Sequence, residues 1–221
     1  MGRALVIGAS GGIGRALVAE LSGRGFEVVG VSRSVDGLDV TDEASVAGVL
    51  GRLEGSFDLI VCATGALEVA DAAPEKSLAQ LSAKAMAEQF AVNCIGPALV
   101  LRHSLRLLPK EGRAVVAVLS ARVGSIGDNR LGGWHSYRAA KAALNQIVRG
   151  ASIEMARTHK GAICVALHPG TVATEFTRKY LGRHPAVAPA EAAGRLLDVL
   201  EALEPTHSGG FYDYAMKEIP W

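Results

Sequence analysis

A tyrosine and a lysine four residues apart, Tyr137 and Lys141, are the side chains with the clearest chemical potential in this sequence. Their segment has helical spacing, and positions i and i+4 share one helix face, so both can point into one cleft. A free phenol has a pKa of about 10, and a neighbouring ammonium group lowers it by stabilising the phenolate. The spacing therefore predicts a proton donor, Tyr137, tuned by a cation, Lys141, that could serve a carbonyl oxygen. A surface helix with an extended lysine is the alternative.

A glycine-rich segment, GASGGIG over residues 8–14, is a second candidate feature. It follows an apolar run typical of a buried strand and precedes a helical pattern, which is the setting of a dinucleotide-binding turn. Gly8 would permit the tight turn, Gly12 would let the backbone approach a pyrophosphate, and Gly14 would let the helix pack on the sheet. The free N–H groups of the helix N-terminus would face the phosphates. The less favoured interpretation is an ordinary glycine turn.

Strand and helix patterns alternate along the chain, which predicts an α/β fold of the Rossmann type. We expect one domain, residues 1–221, built on a doubly wound parallel sheet with helices on both faces. The sheet would have about seven strands, at 3–8, 26–32, 38–40, 57–63, 113–120, 162–168 and 210–214. Helices are predicted after the glycine segment, after a capping Thr41, over about 77–108 with a mild break at Gly96-Pro97, and over 135–158 and 189–203.

Composition narrows the classes of partner. The chain has 23 basic and 22 acidic residues, a net charge of +1, which disfavours nucleic acid and anionic membranes as ligands. Three cysteines lie far apart in apolar runs, which predicts reduced core residues in a cytoplasmic protein. The spacing of His135, His168 and His184 matches no metal-binding motif, so we expect no metal.

The glycine segment has the spacing GxxxGxG, and with Tyr137-x-x-x-Lys141 it resembles the short-chain dehydrogenase/reductase family. The resemblance covers essentially the whole chain. The stretch RVGSIGDNRLGGWHSYRAAK is most similar to the family's small carbonyl-reductase branch, which includes C-factor-like and sniffer-like proteins. The resemblance implies an oxidoreductase that uses NADP(H), or else NAD(H), to interconvert a small carbonyl compound and its alcohol.

The resemblance also implies roles for individual residues. Lys141 would bind the ribose hydroxyls, Asn93 would hold a water that links Lys141 to solvent, and Asp39 would meet the adenine. The Pro-Gly segment 168–176 would border the nicotinamide, whereas Ala63-Thr64-Gly65 departs from the family's Asn-Asn-Ala-Gly pattern. The expected cofactor-binding residues are Gly8, Ser10, Gly11, Gly12, Ile13, Gly14, Ser32, Arg33, Asp39, Val40, Ala63, Thr64, Gly65, Tyr137, Lys141, Pro169, Gly170, Val172 and Thr174.

The serine that polarises the carbonyl in this family has no clear counterpart here. The family places it three residues before a glycine, and counting back from Gly124 gives Ala121. Ser120 lies one residue earlier and Ser125 directly follows the glycine, so both are candidates. Ser125 is slightly favoured, because its separation from Tyr137 is close to the family's and because a one-residue shift at a strand end can turn Ser120 away.

Ser32, Arg33 and Ser34 follow the second predicted strand, where an NAD-dependent enzyme of this architecture usually carries an acidic residue. A guanidinium can bind a 2′-phosphate through two hydrogen bonds, and serine hydroxyls can donate to it. These residues therefore predict a preference for NADPH over NADH. The nearby Asp36 is the main argument against that preference, and a solvated surface arginine is the alternative for Arg33.

The predicted function is oxidoreduction of a small carbonyl or alcohol substrate, with Tyr137 as proton donor or acceptor. A catalytically weak cofactor-binding sensor or signalling protein on the same fold is the alternative, and the missing serine is its main support. Helix 135–158 carries apolar residues on more than one face, which predicts a homodimer or homotetramer.

Overall fold

The computed structural model describes residues 2–69, 72–181 and 185–221, and its centre is a six-stranded parallel sheet. The strands are β1 Arg3–Ile7, β2 Glu27–Val31, β3 Leu59–Cys62, β4 Ala114–Leu119, β5 Ala162–His168 and β6 Phe211–Asp213. Their order in the sheet is β2-β1-β3-β4-β5-β6. β2 lies on one side of β1, and the later strands lie on the other side. The loops at the carboxyl ends of the strands diverge at this reversal, which is where sheets of this kind bind ligands.

Helices cover both faces of the sheet. They are α1 Gly12–Gly23, α2 Arg33–Asp36, α3 Glu43–Gly51, α4 Ala83–Phe90, α5 Gly96–Ser104, α6 His135–Thr158 and α7 Pro189–Ala202. Alternate residues of β4 show the two layers, because Val116 and Val118 pack in the core beneath α3, α5 and α6, whereas Val115 and Ala117 pack beneath α1 and α7. A fully buried valine contributes about 1.5–3 kcal/mol to folding. The prediction of a doubly wound parallel sheet is confirmed.

The predicted third strand at 38–40 is wrong, so the sheet has six strands and not about seven. Gly37 takes a left-handed backbone with φ of 73°, which turns the chain directly after α2. The next N–H groups bond locally, from Leu38 to the Ser32 carbonyl and from Asp39 to the Ser45 hydroxyl. The alternation of only three residues could not reveal this competing turn.

Two helix predictions also need correction. Asp42, not Thr41, caps α3, because its carboxylate accepts the N–H of Ala44. The pattern at about 77–108 is α-helical only from Ala83 onward, and the mild break expected at Gly96-Pro97 is a π-helical turn at Ala91–Ile95, directly before Gly96, between α4 and α5. A Cβ on Gly96 would lie 2.8 Å from the Val40 carbonyl oxygen. Because glycine has no side chain, the start of α5 can lie directly against Val40.

None of the helices that the structure describes combines the length and apolarity needed to cross a bilayer.

Candidate active site

The glycine segment forms a close-packed turn between β1 and α1. Gly8 has a left-handed backbone with φ of 87°, and a Cβ on Gly14 would overlap the Gly8 carbonyl oxygen. A Cβ on Gly12 would come within 2.6 Å of Thr174 Cγ2, which places the segment after β5 against the turn. Ser10 and Gly11 are exposed, and Gly11 gives α1 no side-chain cap. The N–H groups at this helix N-terminus therefore lack a side-chain cap, and the binding of an anion by Gly8 to Gly14, including Ile13 in the first turn, stays a prediction.

The loop after β3 links the glycine turn to the lysine. A Cβ on Gly8 would lie 3.1 Å from the Ala63 carbonyl oxygen and 3.2 Å from Thr64 Cγ2. A Cβ on Gly65 would lie 3.1 Å from Asn93 Oδ1 and 3.6 Å from Lys141 Nζ. The structure therefore brings Gly8, Gly65, Asn93 and Lys141 to one edge of the sheet.

Tyr137 and Lys141 occupy one buried face of α6. Lys141 Nζ lies 5.9 Å from the centre of the Tyr137 ring and donates a 2.9 Å hydrogen bond to the Leu119 carbonyl. Burial lowers the pKa of Lys141 to about 8 and raises the pKa of Tyr137 above its ordinary value. Loss of solvent is the cause of the raised phenol pKa in the chain itself, and the lowering expected from the ammonium together with a bound, positively charged nicotinamide ring stays a prediction.

Asn93 lies in the π-helical turn and is fully buried. Its Nδ2 donates to the Ala66 carbonyl at 2.8 Å and to Gln89 Oε1 at 2.6 Å, and its Oδ1 accepts the Ala66 N–H at 3.2 Å. The side chain thereby fastens the loop after β3 to α4. π-Turns occur frequently at functional sites, where the extra residue redirects a side chain.

Both candidate serines have partners outside the tyrosine–lysine pair. The hydroxyl of Ser120 donates to Asn145 Oδ1 at 2.7 Å. The hydroxyl of Ser125 donates to the carbonyl of Pro220 and accepts the N–H of Asp128 at 3.1 Å. Ala121, between them, begins the turn that packs on α6, where a Cβ on Gly124 would come within 2.8 Å of Lys141 Cβ.

The end of β2 carries the residues expected to bind the adenosine half of a cofactor. Ser32 is buried and caps α2, and its N–H donates to the Asp36 carboxylate at 2.7 Å. Arg33 is exposed beside it. The Asp39 carboxylate accepts hydrogen bonds from the hydroxyl and the N–H of Thr41, and these bonds lower the pKa of Asp39. Val40 packs against Gly96. An available guanidinium and a nearby carboxylate thus coexist at this end of the crevice.

The segment after β5 forms the remaining border. Pro169 and Gly170 follow the strand, and Gly170 has φ of 79° with the Tyr214 ring 2.9 Å from where a Cβ would be. Val172 is buried and pairs with Val187. The N–H of Thr174 bonds to the Thr177 hydroxyl at 3.2 Å.

Several residues near Tyr137 carry contacts that sequence reasoning missed. Glu68 accepts hydrogen bonds from Lys179 at 2.6 Å and from the Tyr180 hydroxyl at 2.7 Å. Glu75 is a buried carboxylate that bonds to Ser136, the residue before Tyr137. No local sequence signal could reveal either carboxylate, because each partner lies more than 60 residues away.

Metal ligands do not gather at this site. Within the described ranges, no group of three His, Cys, Asp or Glu side chains is arranged to hold a metal ion, and His184 lies outside those ranges.

A parallel sheet with this order of strands, a glycine turn at its reversal point and a buried tyrosine–lysine pair beside that turn define a nucleotide-binding oxidoreductase of the doubly wound class. The family model described as enoyl-(acyl carrier protein) reductase matches residues 8–202. The chain belongs to the short-chain dehydrogenase/reductase family, as the resemblance of its motifs predicted.

Two curated proteins are similar to this chain in sequence. The chain is 32% identical to 1-hydroxy-2-glutathionyl-2-methyl-3-butene dehydrogenase of Rhodococcus sp. (strain AD45), over 96% of both chains. It is 39% identical to the protein named C-signal of Myxococcus xanthus, over 62% of this chain and 78% of that one.

Two solved structures agree with the fold. A short-chain dehydrogenase/reductase of Burkholderia multivorans with bound NADP superposes with a TM-score of 0.85 at 27% identity, over 100% of this chain and 99% of that one. An NADPH-bound carbonyl reductase from chicken fatty liver superposes with a TM-score of 0.83 at 27% identity, over 99% and 94% of the two chains.

Proposed function

We propose that this protein is an NADP(H)-dependent carbonyl reductase or alcohol dehydrogenase in which Tyr137 carries the proton. One observation supports this most strongly: Tyr137 and Lys141 share a buried face of α6, and Lys141 Nζ reaches the end of β4 beside Gly65. A lysine used only for solubility would extend into solvent. Its burial next to a phenol, at the edge that carries the glycine turn, is the arrangement that proton transfer to a carbonyl oxygen requires.

The residues present fit a dinucleotide. The absence of side chains at Gly12 and Gly14 lets the turn pack against Thr174 and the Gly8 carbonyl, and the exposed backbone at Ser10 and Gly11 suits a pyrophosphate. Ala63, Thr64, Gly65 and the segment from Pro169 to Thr174 would border the nucleotide further along the crevice. When bound, NADPH supplies hydride to the carbonyl carbon.

The chain's own residues perform the rest of the reaction. Tyr137 donates its proton to the carbonyl oxygen, and the buried ammonium of Lys141 stabilises the phenolate that remains. Asn93 and Gln89 fix the loop beside Lys141, so the lysine faces a rigid wall. In the alcohol-oxidising direction Tyr137 accepts the proton instead.

The preference for NADP(H) rests on Arg33 and Ser32 at the end of β2, where a guanidinium can bind a 2′-phosphate. Two similar structures carry NADP or NADPH, which supports the same cofactor here. Asp36 accepts the Ser32 N–H, and its carboxylate would repel a 2′-phosphate, so Asp36 is the main argument against this preference and for NAD(H) as a second cofactor.

A panel assay tests the proposal. Oxidation of NADPH is followed with small aldehydes, ketones and quinones, and NADPH binding is measured separately by calorimetry. Turnover of at least one carbonyl, lost in Tyr137→Phe, is the expected result. Cofactor binding without turnover of any member of the panel would contradict it.

A cofactor-binding sensor or signalling protein is the second candidate, and one observation favours it. Ala121 stands where the family's serine would be, and the two neighbouring serine hydroxyls bond elsewhere. One relative is named C-signal, which fits such a role. The same panel assay separates the two candidates.

We further propose a cytoplasmic homodimer or homotetramer that acts on small molecules, binds neither nucleic acid nor membrane, and folds as one domain over residues 1–221. Ile147 and Ile153 are exposed on α6, and Ile95 is exposed at the end of the π-helical turn, directly before α5. Apolar side chains on these two elements suit a second copy of the chain. Light scattering that shows only monomer at micromolar concentration would contradict the assembly.

A further inference from the structure

Trp134 has a strained backbone directly before α6. Its φ of 50° and ψ of 38° are left-handed, and Gly132 and Gly133 before it each have φ of 63°. Glycine adopts this conformation freely, whereas the Cβ of a tryptophan makes it unfavourable. Met216 is the other non-glycine residue with positive φ in the described ranges. Such strain persists only where the surroundings enforce it, and it occurs preferentially at functional sites.

Glu75 enforces the conformation of Trp134. Its backbone carbonyl accepts the Trp134 N–H at 2.5 Å. Its carboxylate accepts the Ser136 N–H at 3.2 Å and also bonds to the Ser136 hydroxyl. Burial would raise the pKa of Glu75, but the hydrogen bonds from Ser136 outweigh burial and hold it below its ordinary value. An ionised carboxylate 61 residues away in the chain therefore caps α6 and fixes both sides of Trp134.

The indole of Trp134 is placed beside the proposed proton donor. It contacts the Tyr137 ring edge-on, with the ring centres 6.3 Å apart, and contacts Tyr180 in the same way at 5.6 Å. Phe176 lies 6.5 Å from the Tyr137 ring. The Tyr180 hydroxyl is occupied by Glu68, whose second oxygen pairs with Lys179. The wall around Tyr137 therefore presents aromatic rings, and the charges of Glu68 and Lys179 behind Tyr180 satisfy one another.

We propose that Trp134 determines specificity in the reaction proposed above, and that the site prefers carbonyl compounds whose carbonyl carbon bears an aryl or other planar unsaturated group. Aromatic rings gain more from edge-on and offset contacts than buried area alone provides. A saturated ring of similar volume fills the same space without that gain. The inference rests on the proposed reductase activity and adds the class of substrate.

A matched pair of aldehydes tests this inference. The ratio of kcat/KM for benzaldehyde to that for cyclohexanecarbaldehyde is measured with NADPH in the native protein, Trp134→Leu and Trp134→Phe. Comparing ratios between variants cancels the intrinsic reactivity of each aldehyde. We expect Trp134→Leu to lower the ratio about three- to tenfold and Trp134→Phe to retain most of it. An unchanged ratio in Trp134→Leu would overturn the inference.

Glu75→Ala tests the positioning role of the carboxylate, because it keeps the indole and removes its support. We expect this variant to lower the same ratio, in the direction of Trp134→Leu. The control is Asp42→Ala, which removes a helix-capping carboxylate from α3, away from Tyr137. Asp42→Ala should reduce stability and leave the ratio unchanged. If Glu75→Ala also reduces only stability, Glu75 does not position Trp134 and that part of the inference is overturned.

A binding measurement separates this inference from the proposed activity. The dissociation constants of benzyl alcohol and cyclohexylmethanol are measured by calorimetry with NADP⁺ present. Tighter binding of benzyl alcohol than of cyclohexylmethanol, lost in Trp134→Leu, supports the aromatic site. If neither aldehyde is turned over in that case, the proposed reductase activity fails and the inference about Trp134 stands. Equal binding of the two alcohols to the native protein would overturn the inference whatever the activity.

Discussion

The ammonium group of Lys141 donates a 2.9 Å hydrogen bond to the carbonyl of Leu119, the last residue of β4. This contact ties α6 to the carboxyl edge of the sheet, where the glycine turn also lies. Among the residues that the structure describes, one of the three donors of the ammonium group is used in this way. The remaining donors are available to the ribose hydroxyls that the family resemblance assigns to Lys141.

Burial of Lys141 predicts a specific dependence of stability on pH. Its pKa of about 8 lies below the ordinary value of 10.5, so the folded chain holds this proton less tightly than the unfolded chain. Below pH 8 both states are protonated and the full cost of the buried charge is present. Between about pH 8 and 10 the unfolded chain binds more protons, so the unfolding free energy rises with pH by up to about 1.4 kcal/mol per pH unit from this group.

Urea unfolding of the native protein and Lys141→Met between pH 7 and 9.5 isolates this contribution. The native protein should gain stability relative to Lys141→Met above pH 8. Tyr137 is present in both proteins and stays protonated in the folded state, because burial raises its pKa, so its own titration cancels in this comparison. A stability difference that does not change with pH would mean that Lys141 is solvated.

Tyr137→Phe is expected to bind NADPH normally and to lose turnover by about 10²–10⁴-fold, the usual scale for removing a general acid. The ring still packs between Trp134 and Phe176, so the fold should not change. Calorimetric titration of NADPH alongside steady-state kinetics checks both halves. Near-native kcat with the cofactor bound would show that another group supplies the proton.

Periodic patterns in the sequence predicted the elements that hold Tyr137 and Lys141. Helix 135–158 was placed correctly, because its apolar stripe runs along the whole of α6. β5 at 162–168 was also correct, since a fully buried parallel strand is a continuous apolar run. The i,i+4 spacing then placed the tyrosine and the lysine on one face without further information.

Features that depend on contacts between distant segments could not be predicted in this way. The hydroxyl directions of Ser120 and Ser125 depend on Asn145 and on Pro220, which the chain brings together only on folding. The hydrogen bonds that Ser136 donates to Glu75 and Tyr180 donates to Glu68 also join distant segments. The prediction of a strand at 38–40 was wrong for a local reason, because the left-handed backbone of Gly37 turns the chain directly before these residues.

Arg33→Ala is expected to lower kcat/KM for NADPH by about tenfold or more and to leave the value for NADH nearly unchanged. The loss reflects charge-assisted hydrogen bonds to the 2′-phosphate, which only NADPH carries. Arg52→Ala is the matched control, since Arg52 is an exposed arginine at the end of α3. An unaltered cofactor preference in Arg33→Ala would show that Arg33 does not bind the 2′-phosphate.

Gly14→Ala is expected to weaken NADPH binding by more than tenfold and to destabilise the fold. The added methyl group would overlap the Gly8 carbonyl oxygen, so the turn between β1 and α1 must open. Gly23→Ala provides a control in the same helix, because no described residue outside the neighbouring helix backbone lies within 4 Å of its added Cβ. That control should bind NADPH normally and be as stable as the native protein or slightly more so. Equal binding by both variants would show that the turn does not hold the cofactor.

The last prediction concerns Ala121, which stands where the family has the serine that polarises the carbonyl. The hydroxyl of Ser125 is bonded to Pro220 and that of Ser120 to Asn145, so we expect Ser125→Ala and Ser120→Ala to cost about 1 kcal/mol of stability each. Their kcat values should stay close to native. Ala121→Ser would add a hydroxyl at the family's position and is expected to raise kcat and kcat/KM together by about tenfold or more, because such a hydrogen bond strengthens as charge develops on the carbonyl oxygen.

Steady-state kinetics on the three single variants and on Ser120→Ala/Ser125→Ala decide the matter. If Ser125→Ala lowers kcat and kcat/KM together, the loop from Gly124 must move to bring this hydroxyl to the substrate, as the sequence slightly favoured. If Ala121→Ser changes nothing and the double variant keeps native kcat, Tyr137 polarises the carbonyl alone. An inactive native protein that becomes a reductase in Ala121→Ser would instead support the sensor, since one missing hydroxyl would then separate binding from catalysis.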